Sequence, residues 1–428
     1  MNPLCRFFIL FFGLIGFGHS TLVADISAGV AVVDINPPIG GQIRGYGSPL
    51  PTDGINDPLT ARVLVLESSD TTVAIVTWDL CVATSRSLHA RVAELGSDRL
   101  LLLNTHTHAG PNLDQPNFPS ATSPLRASTE QKVLDGIRDA KQKMFPAFFA
   151  AGDGSIQLGY NRLVRQPGGF SLTHFENPER IPYGPVDPTV SVLRITDAQS
   201  KIRAVLVNYA CHAVVLGTPN RKISADYPGA LRTEIENQLG GDAVCFFVQG
   251  ASGDINPLML ARSGDPAKDL PLVDTMGKSL AGEVLSVLQR MKSEPAKGER
   301  LLTASTTITV ENRWKPESTL PVSVSTLLLN SDIGIAIMPG EPFHQFQVDW
   351  RQKSGLPHAF FFGYSANADE PWAGYIPDIE SAARGGYGAS DFTNVAVGTG
   401  ERLLNEALSQ LYTLQGRLRS APQRHLNE

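Results

Sequence analysis

The sequence contains no apolar run long enough to cross a bilayer. Its longest, Phe7 to Phe17, falls short of the roughly 20 residues a transmembrane helix needs. Nor is there a basic cluster interleaved with aromatics, and the formal net charge is -6, which argues against a nucleic-acid surface. Cysteine is scarce, with four in 428 residues. Cys5 lies at the extreme N-terminus, and Cys81, Cys211 and Cys245 can form at most one disulfide, so a disulfide scaffold is excluded. Each of these three sits in an apolar, strand-like context (TWDLCVAT, NYACHAVV, DAVCFFVQ) and reads as a buried thiol. Internal repeats and low-complexity tracts are absent. What is present is a globular composition, 42% hydrophobic and 18% charged, with ample material for a core.

The N-terminus reads as a secretory leader. Arg6 supplies the positive region, Phe7 to Phe17 the apolar one, and Gly18-His19-Ser20 the small residues around a cleavage point, with cleavage after Ala24 as the alternative. The expected organisation is a leader over 1–24 and a single mature domain over 25–428, secreted or periplasmic. The basic stretch from Arg417 to His425 reads as a solvated end.

Along the mature chain, strands and helices alternate. Strands are expected over 28–35, 59–67, 72–78 and 100–103, with a helix over 83–95 before the last of them. Further strands fall at 154–160, 190–195, 202–210 and 243–248, and helices at 129–144, 227–239 and 272–292. After the last helix the strands at 301–311, 322–329, 333–337 and 360–362 look more antiparallel, and helices at 341–352 and 401–414 close the chain. The fold class is α/β: mixed sheets flanked by helices, with a site at strand ends and long loops. The loops at 112–128 and 163–188 are candidate covers for that site.

Five stretches could carry chemistry. Leu100 to Asn112 reads LLLLNTHTHAGPN: a buried strand, then two histidines two apart. If extended backbone continues through Thr107, His106 and His108 face the same way, as a metal or acid/base site or as hydrogen-bonded loop histidines. The longer H-x-H-x-D-H pattern fails, because Ala109 and Gly110 follow. His212 ends a second apolar strand, AVLVNYACH, and two histidines from two strand ends can share one ion; a core histidine is the plain alternative. Glu341 follows the turn Met338-Pro339-Gly340 and is expected to open the next helix, where a carboxylate also suits the dipole. Phe246 to Pro257 is an apolar strand entering a glycine-rich turn that can present N–H groups to a ligand. It is neither a P-loop nor a nucleophile elbow around Ser252. Tyr375 and Tyr387 lie in a late glycine-rich loop.

Taken in order, Thr105 to Pro111, Asn161-Arg162, Cys211-His212, Gly253 to Pro257, Pro339-Gly340-Glu341 and Gly374-Tyr375 with Tyr387 resemble the neutral/alkaline, non-lysosomal ceramidase family, in its N-terminal catalytic domain. The resemblance implies one Zn2+ ion held by His106, His212, Glu341 and Tyr375. It implies that His108 is the acid/base and binds no metal, and that Arg162 and Tyr387 contact the scissile carbonyl or its oxyanion. The turn carrying Gly253, Asp254 and Asn256 falls against the substrate. The implied chemistry is hydrolysis of a carboxamide by zinc-activated water.

Two departures bear on substrate. Asn256 stands where the family has a serine, and the family's C-terminal β-sandwich does not follow within this sequence. The leading expectation is therefore a zinc-dependent amidohydrolase acting on an N-acyl lipid or small molecule, with transient contact to a membrane surface. The alternatives are the same chemistry on a non-ceramide ester, lactone or small amide, or a zinc-binding protein without catalysis.

Overall fold

Leu100 to Leu103 is apolar at every position because both faces of its strand are covered. Leu100 and Leu102 pack with Val133, Leu134 and Ile137 of the helix Leu125–Gln142. Leu101 and Leu103 pack with Leu206, Phe246 and Val248 of a second sheet. Continuous apolar runs are the signature of such doubly covered strands. The structure is a computed structural model describing residues 25–46, 51–113, 125–240, 242–291, 296–366 and 371–418; the leader lies outside them.

Two mixed sheets stack face to face. The larger has nine strands, ordered Leu301–Asn312, Lys315–Leu329, Ile333–Pro339, His358–Ala366, Arg99–Asn104, Thr72–Trp78, Thr60–Glu67, Ser27–Asp34 and Phe145–Pro146. The smaller has five: Val244–Gln249, Ile202–Tyr209, Thr189–Thr196, Phe148–Ser155 and Ala296–Lys297. Leu64, Ile75 and Phe360 of the first meet Leu193, Ile195 and Phe246 of the second in a shared core. Helices cover the outer faces. Leu125–Gln142 lies on the larger sheet; Asp226–Leu239 and Pro266–Arg290 lie on the smaller. His344–Ser354 and Thr399–Leu414 enclose Phe361, Leu328 and Ala336. The α/β class and its mixed sheets are as expected. Cys81, Cys211 and Cys245 are all buried and unbridged.

Several boundaries differ from the sequence reading, each for a physical reason. The strand expected over 154–160 is two pieces, Phe148–Ser155 and Gly159–Asn161. Gly152 and Gly154 belong to the first, where Val287 of the adjacent helix leaves no room for a Cβ. The longest helix starts at Pro266, because the Asp265 side chain accepts from the Ala267 amide and caps it. The first long loop ends at Leu125, where its helix begins, and 114–124 lie outside the described residues. The second contains the hairpin Leu163–Arg165 with Ser171–Thr173.

The strand ends are tied together by buried polar groups. Trp78 Nε1 and the Ala83 amide donate to Asn104 Oδ1 at 2.9 and 3.0 Å. One turn along, Arg232 donates both terminal nitrogens to Asp79 at 2.8 Å. Asp79 also accepts from the Thr60 amide at 2.7 Å and from the Thr105 hydroxyl at 3.1 Å. This ion pair is fully buried, and it holds the helix Asp226–Leu239 against the residue preceding His106. Removing one partner of such a pair strands the other charge, at a cost of about 3–5 kcal/mol. Arg232→Met is therefore expected to lower the unfolding free energy read from urea melts by that amount, and Asp79→Asn added to it to return part of the loss.

Candidate active site

His106 follows the strand Arg99–Asn104, but the backbone does not stay extended. His106 has φ 66°, a left-handed conformation rare for a residue with a side chain. It is held there by its amide, which donates to Leu80 O at 3.0 Å, and by its ring, whose Nδ1 donates to Cys81 O at 2.8 Å. The expectation of two histidines on one face of an extended strand is thus incorrect in its geometry, yet the rings still meet: His106 Nε2 and His108 Nε2 are 3.1 Å apart. Gly45, at φ 125°, lies flat against the His108 ring, and a Cβ there would fall 2.5 Å from Cγ.

His212 comes from the end of Ile202–Tyr209. Its Nδ1 faces Ser252 O at 2.7 Å and Ile255 O at 3.1 Å, so the proton sits on Nδ1 and the Nε2 lone pair points inward. Glu341 does not open a helix. It lies in a short parallel bridge, opposite Tyr375, and the helix starts only at His344. The bridge wins because the Glu341 amide donates to Gly374 O at 3.0 Å. Its Oε2 stands 3.4 Å from His106 Nε2 and 3.3 Å from His212 Nε2.

These three residues form a candidate metal-holding group, all ligand atoms lying within 4.8 Å of one another. Donors around zinc at 2.0–2.1 Å stand about 3.3–3.4 Å apart when tetrahedral, and Glu341 Oε2 stands at that distance from both imidazole nitrogens. Both imidazoles are fixed by carbonyls in the tautomer a metal requires. His212 Nε2 and Glu341 Oε2 are buried without a hydrogen-bond partner, which a cation at their centre would resolve. Cys81, His106 and His108 form a second such group, with Cys81 Sγ 3.8 Å from His106 Nδ1; the sequence offered no sign of it. Cys211, by contrast, is in neither group.

The charge states follow from burial. Burial opposes charge on His106, but Cys81 and Glu341 outweigh it and raise its pKa to about 10. Burial favours the neutral acid at Glu341, but His106 and His212 hold it well below the usual carboxylate range. Burial pushes His212 down to about 4. His108 goes well below its ordinary value, through burial and then the neighbouring His106 and His212, and stands as a neutral base.

Around this cluster stand the other residues singled out in the sequence. Arg162 is buried; it donates to Asn256 Oδ1 at 3.0 Å and Gly253 O at 2.6 Å. Its guanidinium lies 5.2 Å from the Tyr375 ring centre and 5.0 Å from that of Tyr387. Tyr375 stacks on His212, with centroids 6.3 Å apart. Asn256 lines the cavity. Gly253 and Asp254 line neither of its lobes. The Asp254 carboxylate is instead taken up by His344 Nδ1 at 2.6 Å, the His344 amide at 2.9 Å and Asn161 Nδ2 at 2.8 Å. It is a brace behind the wall, not a surface for substrate.

The cavity has two lobes that share Tyr46, His108, Tyr375 and Tyr387. One, of about 190 Å3, includes His212, Arg162, Asn256, Glu176 and Arg262. The other, of about 610 Å3, includes His106, Glu341, Ile43, Val82, Trp372 and Phe392. Sequence reasoning missed Tyr46, whose ring meets His108 edge-on at 5.1 Å, although it stands in the glycine-rich segment at 40–48. It also missed Tyr364, 4.4 Å from the His106 ring and bonded to Ser252 Oγ at 2.8 Å. Nothing distinguishes that tyrosine within an aromatic strand.

The family model "Neutral/alkaline non-lysosomal ceramidase, N-terminal" matches residues 27–276. "Neutral ceramidase" of Pseudomonas aeruginosa is 25% identical over 244 residues, 52% of this chain and 35% of that protein. "Neutral ceramidase B" of Dictyostelium discoideum is 27% identical over 242 residues, 50% of this chain and 33% of that protein. The chain thus spans about a third of the length of the curated relatives it matches. The crystal structure of the Pseudomonas aeruginosa neutral ceramidase superposes with a TM-score of 0.72 at 16% identity, over 93% of this chain and 76% of the other. A ceramidase complexed with C2 gives 0.71, also at 16% identity, over 94% and 78%. The likeness in fold therefore runs well past residue 276, into the part of the chain that carries Glu341, Tyr375 and Tyr387. The chain belongs to the neutral/alkaline non-lysosomal ceramidase family.

Proposed function

We propose that this protein is a zinc-dependent hydrolase that cleaves a carboxamide bond, with N-acyl compounds as its substrates. The observation that carries the reading is the convergence of His106 Nε2, His212 Nε2 and Glu341 Oε2 at tetrahedral spacing, beside a neutral imidazole bonded to neither carbonyl nor carboxylate. His106, His212, Glu341 and Tyr375 would hold the ion. When bound, zinc supplies Lewis acidity at the carbonyl and makes water acidic enough to attack near neutral pH.

The remaining work falls to the chain's own groups. His108 Nε2 takes a proton from the attacking water and returns it to the departing nitrogen. Arg162 is fixed by Asn256 and Gly253, so its charge is already in place as the carbonyl oxygen becomes negative; the Tyr387 hydroxyl adds a donor. Trp372, Phe392, Ile43 and Val82 exclude water and suit an acyl chain. In this reading 25–428 form a single catalytic domain that leaves the cell behind the leader at 1–24. Among the described residues no helix is long and apolar enough to cross a membrane; in this reading contact with lipid is transient and at the membrane surface.

The second reading keeps the chemistry and changes the substrate to an ester, lactone or small amide. Asn256 favours it: its side chain accepts from Arg162 where a serine hydroxyl stands in the family. An inactive zinc protein is disfavoured, because a structural site has no use for His108, Arg162 and Tyr387.

Metal-stripped protein is expected to take up one equivalent of Zn2+ in a calorimetric titration and to release protons as it does so. His106→Ala and His212→Ala should each bind far more weakly. A folded wild type that binds no metal would sink the reading. His108→Gln is expected to bind Zn2+ as the wild type does and to lose roughly 100-fold or more in kcat, read on a panel of N-acyl sphingosines, N-acyl amines and esters that also ranks the substrates.

A further inference from the structure

The two lobes meet at the donor cluster, with His212 lining the small one and His106 and Glu341 the large one. Arg162, Arg262 and Glu176 belong to the small one. The large one, about three times the volume, has Ile43, Val82, Trp372 and Phe392 among its lining, with Arg44 at its edge. A substrate split at its centre leaves one half in each. At about 190 Å3, the small lobe is below the roughly 300–1,000 Å3 of pockets that take drug-sized ligands, so it takes a compact group and no long chain.

Arg262 is built into that lobe. Its Nη1 donates to Val215 O and Ala261 O, both at 3.0 Å. Gly217 lies against the guanidinium, where a Cβ would meet Nη1 and Cζ. Val215 belongs to the segment leading on from His212, so this bond ties the guanidinium to the stretch that carries the donor nitrogen. Its Nε donates to Glu176 at 3.1 Å, a side chain 63% exposed. Its Nη2 has no hydrogen-bond partner among the described residues. That leaves one charged donor edge for a ligand oxygen, with Glu176 alongside to repel a dianion. The group that satisfies these terms is a carboxylate.

We propose that the small lobe is a subsite for a carboxylate-bearing leaving group, and that the substrate class is the N-acyl amino acids. The acyl chain lies in the large lobe, the amino-acid half in the small one, and its carboxylate on Arg262. This rests on the amide-hydrolase reading above. Water adds its oxygen to the acyl carbon, the C–N bond breaks, and the proton from water ends on the departing nitrogen. A fatty acid and a free amino acid leave, with no change of oxidation state.

The test uses zinc-loaded wild type and two amides of matched size, N-dodecanoylglycine and N-dodecanoylethanolamine. The glycine conjugate is expected to be favoured roughly tenfold or more in kcat/KM, as a charged hydrogen bond allows. Arg262→Met should bring that ratio down to about one, through the KM of the glycine conjugate, and Arg262→Lys should keep part of it. Equal rates with the wild type would overturn the proposal, and so would an Arg262→Met variant that loses both substrates in proportion. If only the neutral amide is cleaved, the hydrolase reading stands and the subsite falls. If neither is cleaved, both fall.

Discussion

A buried carboxylate set against two imidazoles governs this site. Glu341 is held ionised in the interior, facing two imidazole nitrogens whose partner nitrogens are already given to backbone carbonyls. Taking an isolated carboxylate out of water is costly unless something positive meets it. In the metal-free chain the proton on His106 fills that role. One proton cannot serve both Glu341 and His212, whose facing atoms are buried without a hydrogen bond. Much of the surrounding structure serves to keep this arrangement: the left-handed turn at His106, the bridge at Glu341, and the Asp79–Arg232 pair that fixes the strand end before His106.

The sheet stack makes such a demand tolerable. Strands covered on both faces bring their carboxyl ends together at Leu103 and Ser365, where His358–Ala366 meets Arg99–Asn104. Ligands gather outside strand ends in α/β proteins because loops there are free to carry function while the strands supply rigidity. Here the rigidity reaches into the loops. Asp254 and His344 brace the Gly253–Asn256 turn against the start of a helix, and that turn holds Arg162.

Periodicity made the strands legible. The apolar runs around Leu100, Val205 and Phe246 carried enough signal to place His106, His212 and the glycine-rich turn at strand ends, and the order of motifs carried the family. What pattern could not supply was anything decided by tertiary contacts. Glu341 reads as a helix start on dipole grounds, yet its backbone finds Gly374, far along the chain. Extended spacing seemed to align His106 with His108, whereas a positive φ and two carbonyl contacts achieve it. The resemblance sets Asp254 against the substrate, whereas its carboxylate is taken up by His344 and Asn161. The strand expected from Gly154 starts earlier, at Phe148, and its glycines are pressed against a helix. Arg262 gave no sign at all, because nothing local foretells that carbonyls after His212 will seat it.

The bridge between Glu341 and Tyr375 has one more consequence. Glu341 lies far beyond His106 and His212 in the sequence, on a two-rung bridge to a still later segment. During synthesis the two histidines would emerge and fold without their carboxylate. Closing so long a loop adds little free energy beyond closing a shorter one, but contacts this distant in sequence form late. The carboxylate therefore joins the two imidazoles late in folding.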